Sequence, residues 1–305
     1  MIQLETLESM ARRMRLTSLS LTLGVAPQGA HIGPALSIIE ICAVLYGAVL
    51  RLDPQKPFWP ERDRFLLSKG HGALALYTAL TEAGFLTPQE LHAYETPDSL
   101  LSGQPAMCVE KGMEISSGSL GHGLSIGIGM ALAGRKTQRR YHTYVLMGDG
   151  ECNEGTVWEA AMAAAHFKLN NLVAIVDANG LQSDGCCSTV MDMGSHQAKW
   201  SSFGWETRSV DGHNVAALLD AFSAPRTQPD RPLAVIAATV KGKGVSFMEN
   251  NNDWHNNRLT QAQYEAAIEE LAQDGISRSA QRFSQFPSSL AARTRGLCAL
   301  DEIGA

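Results

Sequence analysis

The stretch from residue 143 to 181 constrains the fold more than any other part of the chain. An apolar run at 143–147 reads as a buried parallel strand and is followed at once by Gly148-Asp149-Gly150-Glu151. The two glycines let the backbone turn sharply and come close to a ligand. A helical pattern then spans 153–168, and a second apolar run, 172–176, reads as the next strand. Asn179 stands just past that strand, 30 residues after Asp149, which is about the length of one βαβ unit. Both polar side chains therefore fall at the carboxyl edge of adjacent parallel strands, where open α/β sheets bind ligands.

Such an edge suits a hard divalent cation holding a diphosphate. Mg²⁺ (or Ca²⁺) takes oxygen ligands, and Mg²⁺ in particular keeps phosphate oxygens and water in its shell. Asp149 offers a carboxylate oxygen, Asn179 an amide oxygen, and the backbone near Leu181 a carbonyl. The helix that starts after Asp149 aims its free N–H groups and positive dipole end at the same place. Gly148, Asp149, Gly150, Glu151 and Asn179 are thus the expected cofactor-binding set, with Asp149, Asn179 and Leu181 as metal ligands.

The same stretch resembles the thiamine-diphosphate motif of transketolases, and four further segments resemble that family in the same order. They are Gly29-Ala30-His31-Ile32-Gly33-Pro34, Arg62 through Ser68-Lys69-Gly70-His71-Gly72, Ser117-Gly118-Ser119-Leu120-Gly121-His122, and Lys241-Gly242-Lys243-Gly244 with Asn252-Asp253-Trp254-His255. The resemblance implies a thiamine-diphosphate-binding α/β fold with Mg²⁺ as co-ligand. It implies that His31 and His71 face the reacting hydroxyls of a donor sugar and that His255 reaches the cofactor diphosphate. Gly118, Leu120 and Gly121 would lie against the aminopyrimidine, and Glu154 would join a proton relay at a subunit interface. A complete transketolase also carries a pyrimidine domain and a small third domain. The resemblance therefore implies an N-terminal subunit of a split transketolase. A separate C-terminal subunit would complete an α2β2 assembly that moves a two-carbon ketol unit between sugar phosphates. Alternatives are another thiamine-diphosphate enzyme subunit, such as a 2-oxo acid dehydrogenase alpha chain or a deoxyxylulose-phosphate synthase, and a catalytically silent cofactor-binding module.

Two departures stand out. Gly103-Gln104-Pro105 replaces the family's usual Gly-His-Pro, and an amide cannot act as an acid or base. Trp254-His255-Asn256 replaces Trp-His-Gly. Lys243 is a candidate phosphate contact. His122 and His213 are expected to pack or hydrogen-bond, and Cys152 to fill space as a small side chain.

The remaining features bound the class. Of 305 residues 45% are apolar and 18% charged, which suits a large α/β domain, and a net charge of −6 gives no basic footprint for nucleic acid. Glu40 interrupts the longest apolar candidate, 34–50, so no membrane span is expected. Arg12, Arg13 and Arg15 ahead of 16–26 have the look of a signal peptide, but Glu5 and Glu8 point to an amphipathic helix and a cytoplasmic protein. Six cysteines without a C-x-x-C pair form neither a disulfide framework nor a zinc site. Helices are expected at 5–22, 34–49, 73–83, 121–134, 153–168, 214–223 and 260–272, and strands at 65–67, 143–147, 172–176, 205–209 and 233–240. This alternation argues for a parallel sheet covered by helices on both faces. The loops at 96–119 and 181–203 are long enough to be binding segments. Residues 1–272 read as the thiamine-diphosphate-binding (pyrophosphate) domain, and 273–305 as a tail that is either loosely packed or docked on a partner.

Overall fold

Five parallel strands carry the molecule, in the order β1-β2-β3-β5-β4. They are β1 (Arg64–Leu67), β2 (Thr143–Gly148), β3 (Leu172–Ala178), β4 (Glu206–Asp211) and β5 (Leu233–Ala238). The computed structural model describes residues 4–25 and 28–281. Side chains of the central strands alternate between two apolar layers, as a sheet covered on both faces requires. Leu146, Val173, Ile175 and Val235 face one layer, and Val145, Met147, Ala174, Val176 and Ile236 face the other.

The first layer is built from α1 (Leu4–Gly24), α2 (Ile32–Leu36), α3 (Ile39–Val44), α4 (Ala73–Glu82) and α5 (Pro88–His92), and from two later helices. The second comes from α6 (His122–Lys136), α7 (Gly155–His166) and α9 (His196–Ser202) with their flanking turns, while α8 (Cys187–Val190) buries no residue. The two later helices, α10 (Val215–Ser223) and α11 (Gln261–Gln281), follow β4 and β5. In α1 the buried positions Leu7, Met10, Ala11 and Met14 repeat at helical spacing. Gly127 brings α6 onto the sheet, because a Cβ there would stand 2.6 Å from Val145 Cγ2.

All five strands lie within two residues of their expected ends. The helix expected over 34–49 is broken into α2, α3 and a π-helical turn, Leu45–Val49. Ser37 explains the first break: its hydroxyl bonds back to the Pro34 carbonyl (2.9 Å) and across to Asp177 (2.7 Å), which pulls the backbone out of register. The segment 181–203 is not plain loop but holds α8 and α9. Ser195 caps α9 and Trp200 pins it between Trp158 and Trp205, a tertiary anchor too short to show as periodicity. Helix α11 runs to Gln281, past the expected end at 272. The rest of the expected tail, 282–305, lies outside the described residues.

One buried ionic cluster ties the first layer to the loop after β5. Arg15 donates to Glu40 (2.6 Å) and to the Lys243 carbonyl (2.9 Å). His213 bonds the other Glu40 oxygen through Nδ1 (2.9 Å) and accepts the Val240 N–H through Nε2 (2.8 Å). The structural role expected of His213 is the one it has. Burial alone would raise the Glu40 carboxyl, but Arg15 and His213 outweigh it and hold it at about 2, against an ordinary 4.5. A depressed carboxyl stabilises the fold above its unfolded value and loses that contribution as pH falls from about 4.5 towards about 2. Glu40→Gln should therefore cost on the order of 3 kcal/mol at neutral pH and flatten the acid limb of a stability-versus-pH curve. Urea melts of both proteins between pH 3 and pH 7 measure this, and parallel curves would contradict it.

Candidate active site

The polar groups collect at the carboxyl edge of the sheet because the β2–β3 register puts Gly148 level with Asp177. Asp149 leaves β2 there and opens a 3-10 turn, Gly150–Asn153. One carboxylate oxygen accepts the Gly150 N–H (2.8 Å) and the other the Gly180 N–H (2.6 Å), so the side chain clamps the two loops together. Asn179 donates to Asp177 (3.0 Å) and accepts the Leu181 N–H (3.0 Å), which turns its amide oxygen towards the same loop. Gly150 is needed for close approach, since a Cβ would stand 2.6 Å from Gln182 Cγ. Gly148 is not: a Cβ there would meet nothing closer than 3.9 Å, and neither glycine has positive φ.

Asp149 is only 5% exposed, and among the described residues no cationic side chain lies within ion-pair distance of it. Burial, with Asp177 beside it, pushes its carboxyl up to about 6. A buried carboxylate without a counter-charge is what a cation site leaves when the cation is set aside. Among the described residues no three His, Cys, Asp or Glu side chains converge as a ligand cage. The donors offered are hard oxygens from one carboxylate, one amide and the backbone, a set that fits Mg²⁺ sharing a phosphorylated ligand.

Glu151 serves these loops as a brace. It is 3% exposed and accepts from the Ser68 hydroxyl, the Gly121 N–H (2.9 Å) and the Gly148 N–H (3.1 Å). Its oxygens are taken up in joining three segments of the site. Gly121 caps α6 at φ 81°, and a Cβ there would meet Glu154 and Thr156, each at 2.6 Å. Gly118 also has positive φ, and Leu120 is half-buried beside them. Glu154 starts α7 and is exposed, as is Glu159. His122 is exposed and bonds only the nearby Leu120 carbonyl. Cys152 is fully buried and packs as expected.

Three imidazoles meet above this edge. The ring centres of His31 and His71 are 6.0 Å apart, those of His31 and His255 5.5 Å, and those of His71 and His255 5.3 Å. A two-way backbone bridge between Ala30 and Asn257 holds the first loop against the last (3.0 and 3.1 Å). His71 sits in the 3-10 turn after β1, Gly70–Gly72, and His255 in the turn Asn252–His255. Gln104 lies next to them, its amide oxygen and the Ser117 hydroxyl packed over the α-carbon of Gly70.

Two lysines of the site lie within the segments that resemble the family but carry no expected role. Lys241 is 1% exposed and donates to Asn252 (2.7 Å) and the Gln182 carbonyl (3.2 Å), with its ammonium 2.9 Å from His255 Nδ1. Burial and then Lys69 pull it down to about 8. Lys69 is equally buried and pairs with Asp177, which also accepts from Ser37 and Thr239. Lys243, a candidate phosphate contact, is paired with Glu249 at 3.0 Å. The available signal for Lys241 was its place just past the end of β5.

The comparisons with known proteins agree with this geometry. Residues 9–283 match the family described as "Transketolase, thiamine diphosphate binding domain". The chain belongs to that family. Among curated proteins it is 40% identical over 272 residues to one of the subunits of apulose-4-phosphate transketolase from Phocaeicola vulgatus, covering 89% of this chain and 96% of that one. It is 39% identical to the 6-deoxy-6-sulfo-D-fructose transketolase subunit SqwG of a Clostridium species, covering 80% and 89%. Human transketolase is 38% identical over 270 residues, but only 42% of its length is covered. The crystal structure of Campylobacter jejuni transketolase superposes with a TM-score of 0.81 at 26% identity, covering 89% of this chain and 43% of that one. As a transketolase-type thiamine-diphosphate-binding domain, the chain thus spans less than half of these long transketolases and nearly all of the relatives that are single subunits.

The imidazoles carry a pH consequence. Burial, then Lys241 and His31, holds His255 down at about 3; burial with Lys69 holds His71 well below its usual range; burial with Lys241 lowers His31. His71 and His255 are therefore neutral at pH 7. Imidazole NMR should show neither of these two protonating between pH 8 and pH 6, whereas a midpoint near the ordinary 6.5 for either would contradict the packing described.

Proposed function

We propose that this chain is the thiamine-diphosphate-binding subunit of a two-chain, Mg²⁺-dependent transketolase, moving a two-carbon ketol unit from a ketose phosphate to an aldose phosphate. The observation that carries the reading is the uncompensated Asp149 carboxylate at a glycine-rich sheet edge, beneath three converging neutral imidazoles. Thiamine diphosphate, when bound, supplies the electron sink that lets a carbon–carbon bond beside a carbonyl break and re-form.

The chain's own residues do the rest. Asp149, Asn179 and the Leu181 carbonyl hold the cation. Lys241 and His255 present positive charge and a hydrogen-bond donor where a diphosphate would lie. Gly118, Leu120 and Gly121 leave a flat surface for the aminopyrimidine, stiffened from behind by Glu151. Neutral His31 and His71 take or return a proton at the sugar hydroxyls. Gln104 orients a hydroxyl by hydrogen bonding without exchanging a proton. This change at one donor contact fits relatives whose names carry uncommon sugars, apulose 4-phosphate and 6-deoxy-6-sulfofructose. Both sugars bear an anionic group, and we assign this chain a donor of that kind.

A second polypeptide completes the site. The relatives that match nearly end to end are themselves named as subunits, and in the family the acid that faces the pyrimidine ring lies on the separate pyrimidine domain. Helices α6 and α7 present exposed Ile126 and Met162, with open space above Gly129 and Gly155. An apolar face of this kind, next to Glu154, suits the core of an α2β2 assembly. Cys42, Cys108, Cys152 and Cys187 form no disulfide, which suits the cytoplasm. Among the described residues no helix is long and apolar enough to cross a membrane.

Purified alone, the chain should show no ketol transfer; mixed with a pyrimidine-domain partner, it should become active with thiamine diphosphate and Mg²⁺. Asp149→Ala should weaken Mg²⁺-dependent cofactor binding more than about tenfold in a fluorescence titration of the assembled enzyme. Full turnover by the isolated chain, or unchanged cofactor affinity in the variant, would overturn the proposal.

A further inference from the structure

The opposite edge of the sheet carries a second polar concentration that the catalytic reading does not use. The turns that lead into β2, β3 and β5, three adjacent strands, form a cleft of about 360 Å³ lined by Arg135, Arg139, Arg140, His142, Asn171 and Arg226. That volume lies in the range of small-molecule sites. Along β2 the cleft stands about 23 Å from Asp149, at ~3.3 Å per residue.

Its charge is unbalanced. Among the described residues the only carboxylate ion-paired with any of the four arginines is Glu61, 3.1 Å from Arg139. The same carboxylate accepts the Arg140 backbone N–H. The other nearby acids are engaged elsewhere: Asp63 with Arg51 and near His142, and Glu206 with Arg208. Arg135 donates to the Phe167 and Lys168 carbonyls at the end of α7 and has no carboxylate partner among the described residues. Arg226 is the least exposed of the four arginines. One of its terminal nitrogens donates weakly to the Asn170 carbonyl (3.4 Å); the other, Nη1, is buried with no partner, and so is the Asn171 side-chain oxygen. Buried guanidinium nitrogens are normally satisfied, so the orphan leaves Arg226 short of an acceptor in a cleft whose other arginines are short of carboxylates. Burial, partly opposed by Glu206, also draws the Arg226 guanidinium below its usual value, as expected for a cation short of an anion.

We propose that this cleft is a second, non-catalytic binding site for a small phosphorylated anion, seated between Arg135, Arg140 and Arg226. Guanidinium forks match phosphate oxygens in geometry and charge. A chain with net charge −6 that gathers four arginines in one cleft has no general basic surface for nucleic acid, and the cleft is of small-molecule size. The inference is independent of the catalytic assignment, since it rests on the other edge of the sheet.

Calorimetric titration of the full-length chain with inorganic phosphate, at constant ionic strength set with chloride, tests it. Saturable binding is expected, unchanged in Asp149→Asn. It should weaken at least about tenfold in Arg135→Glu/Arg140→Glu, and also in Arg140→Glu alone, whose side chain is exposed and whose melting curve should match the parent. Arg226→Gln should weaken it by a similar factor. Absence of saturable binding, or phosphate affinity unchanged by the double charge reversal, would overturn the proposal. So would loss in Asp149→Asn, because the phosphate would then sit at the catalytic edge.

Discussion

A carboxylate buried at the end of a central strand, clamped by two backbone N–H groups and facing no cation, is the constraint around which the rest of the structure is arranged. Asp149 joins the turn after β2 to the loop after β3. Glu151, two residues on, joins that turn to the Ser68 and Gly121 segments. Four stretches far apart in sequence are thereby fixed around one point. The arrangement is costly while the charge stands alone and becomes favourable when a cation arrives. If the site holds a cation as proposed, the scaffold is poised for a ligand that brings positive charge next to phosphate.

The electrostatics of the surroundings follow the same logic. Two buried lysines approach the edge, one neutralised by Asp177 and the other held only by neutral partners. The second, Lys241, shares its neighbourhood with His255 and lowers that imidazole's affinity for a proton. An arriving diphosphate would relieve both. Lys241 itself is positioned at a distance, because the loop that carries it hangs on the Arg15–Glu40–His213 cluster under the first layer. A buried cluster whose direct contribution is to stability therefore also sets where the site's cation stands.

What could be read in the sequence was what is local or repeats with a short period. The strand–turn–helix–strand run from 143 to 179, the alternation of elements and the glycine-flanked histidines are of that kind, and the strands lie within two residues of their expected ends. Pairings across the fold were not legible. Nothing near Lys69 announces Asp177, 108 residues later, and nothing near Arg15 announces Glu40 and the Lys243 carbonyl. Lys241 and Lys243 cannot be told apart in a run that alternates lysine with glycine; Glu249 pairs with the second, and the first is buried. The break at Ser37 is likewise tertiary, since a hydroxyl bonded to a carboxylate on another strand competes with the helix.

The most direct test of the account is a crystal structure of the assembled enzyme with thiamine diphosphate and Mn²⁺ in place of Mg²⁺, read by anomalous scattering. The account predicts one metal peak at the end of β2 and β3, with an Asp149 carboxylate oxygen and the Asn179 amide oxygen both about 2.1 Å from it. A metal held elsewhere, or those two oxygens too far apart to share an ion, would contradict it.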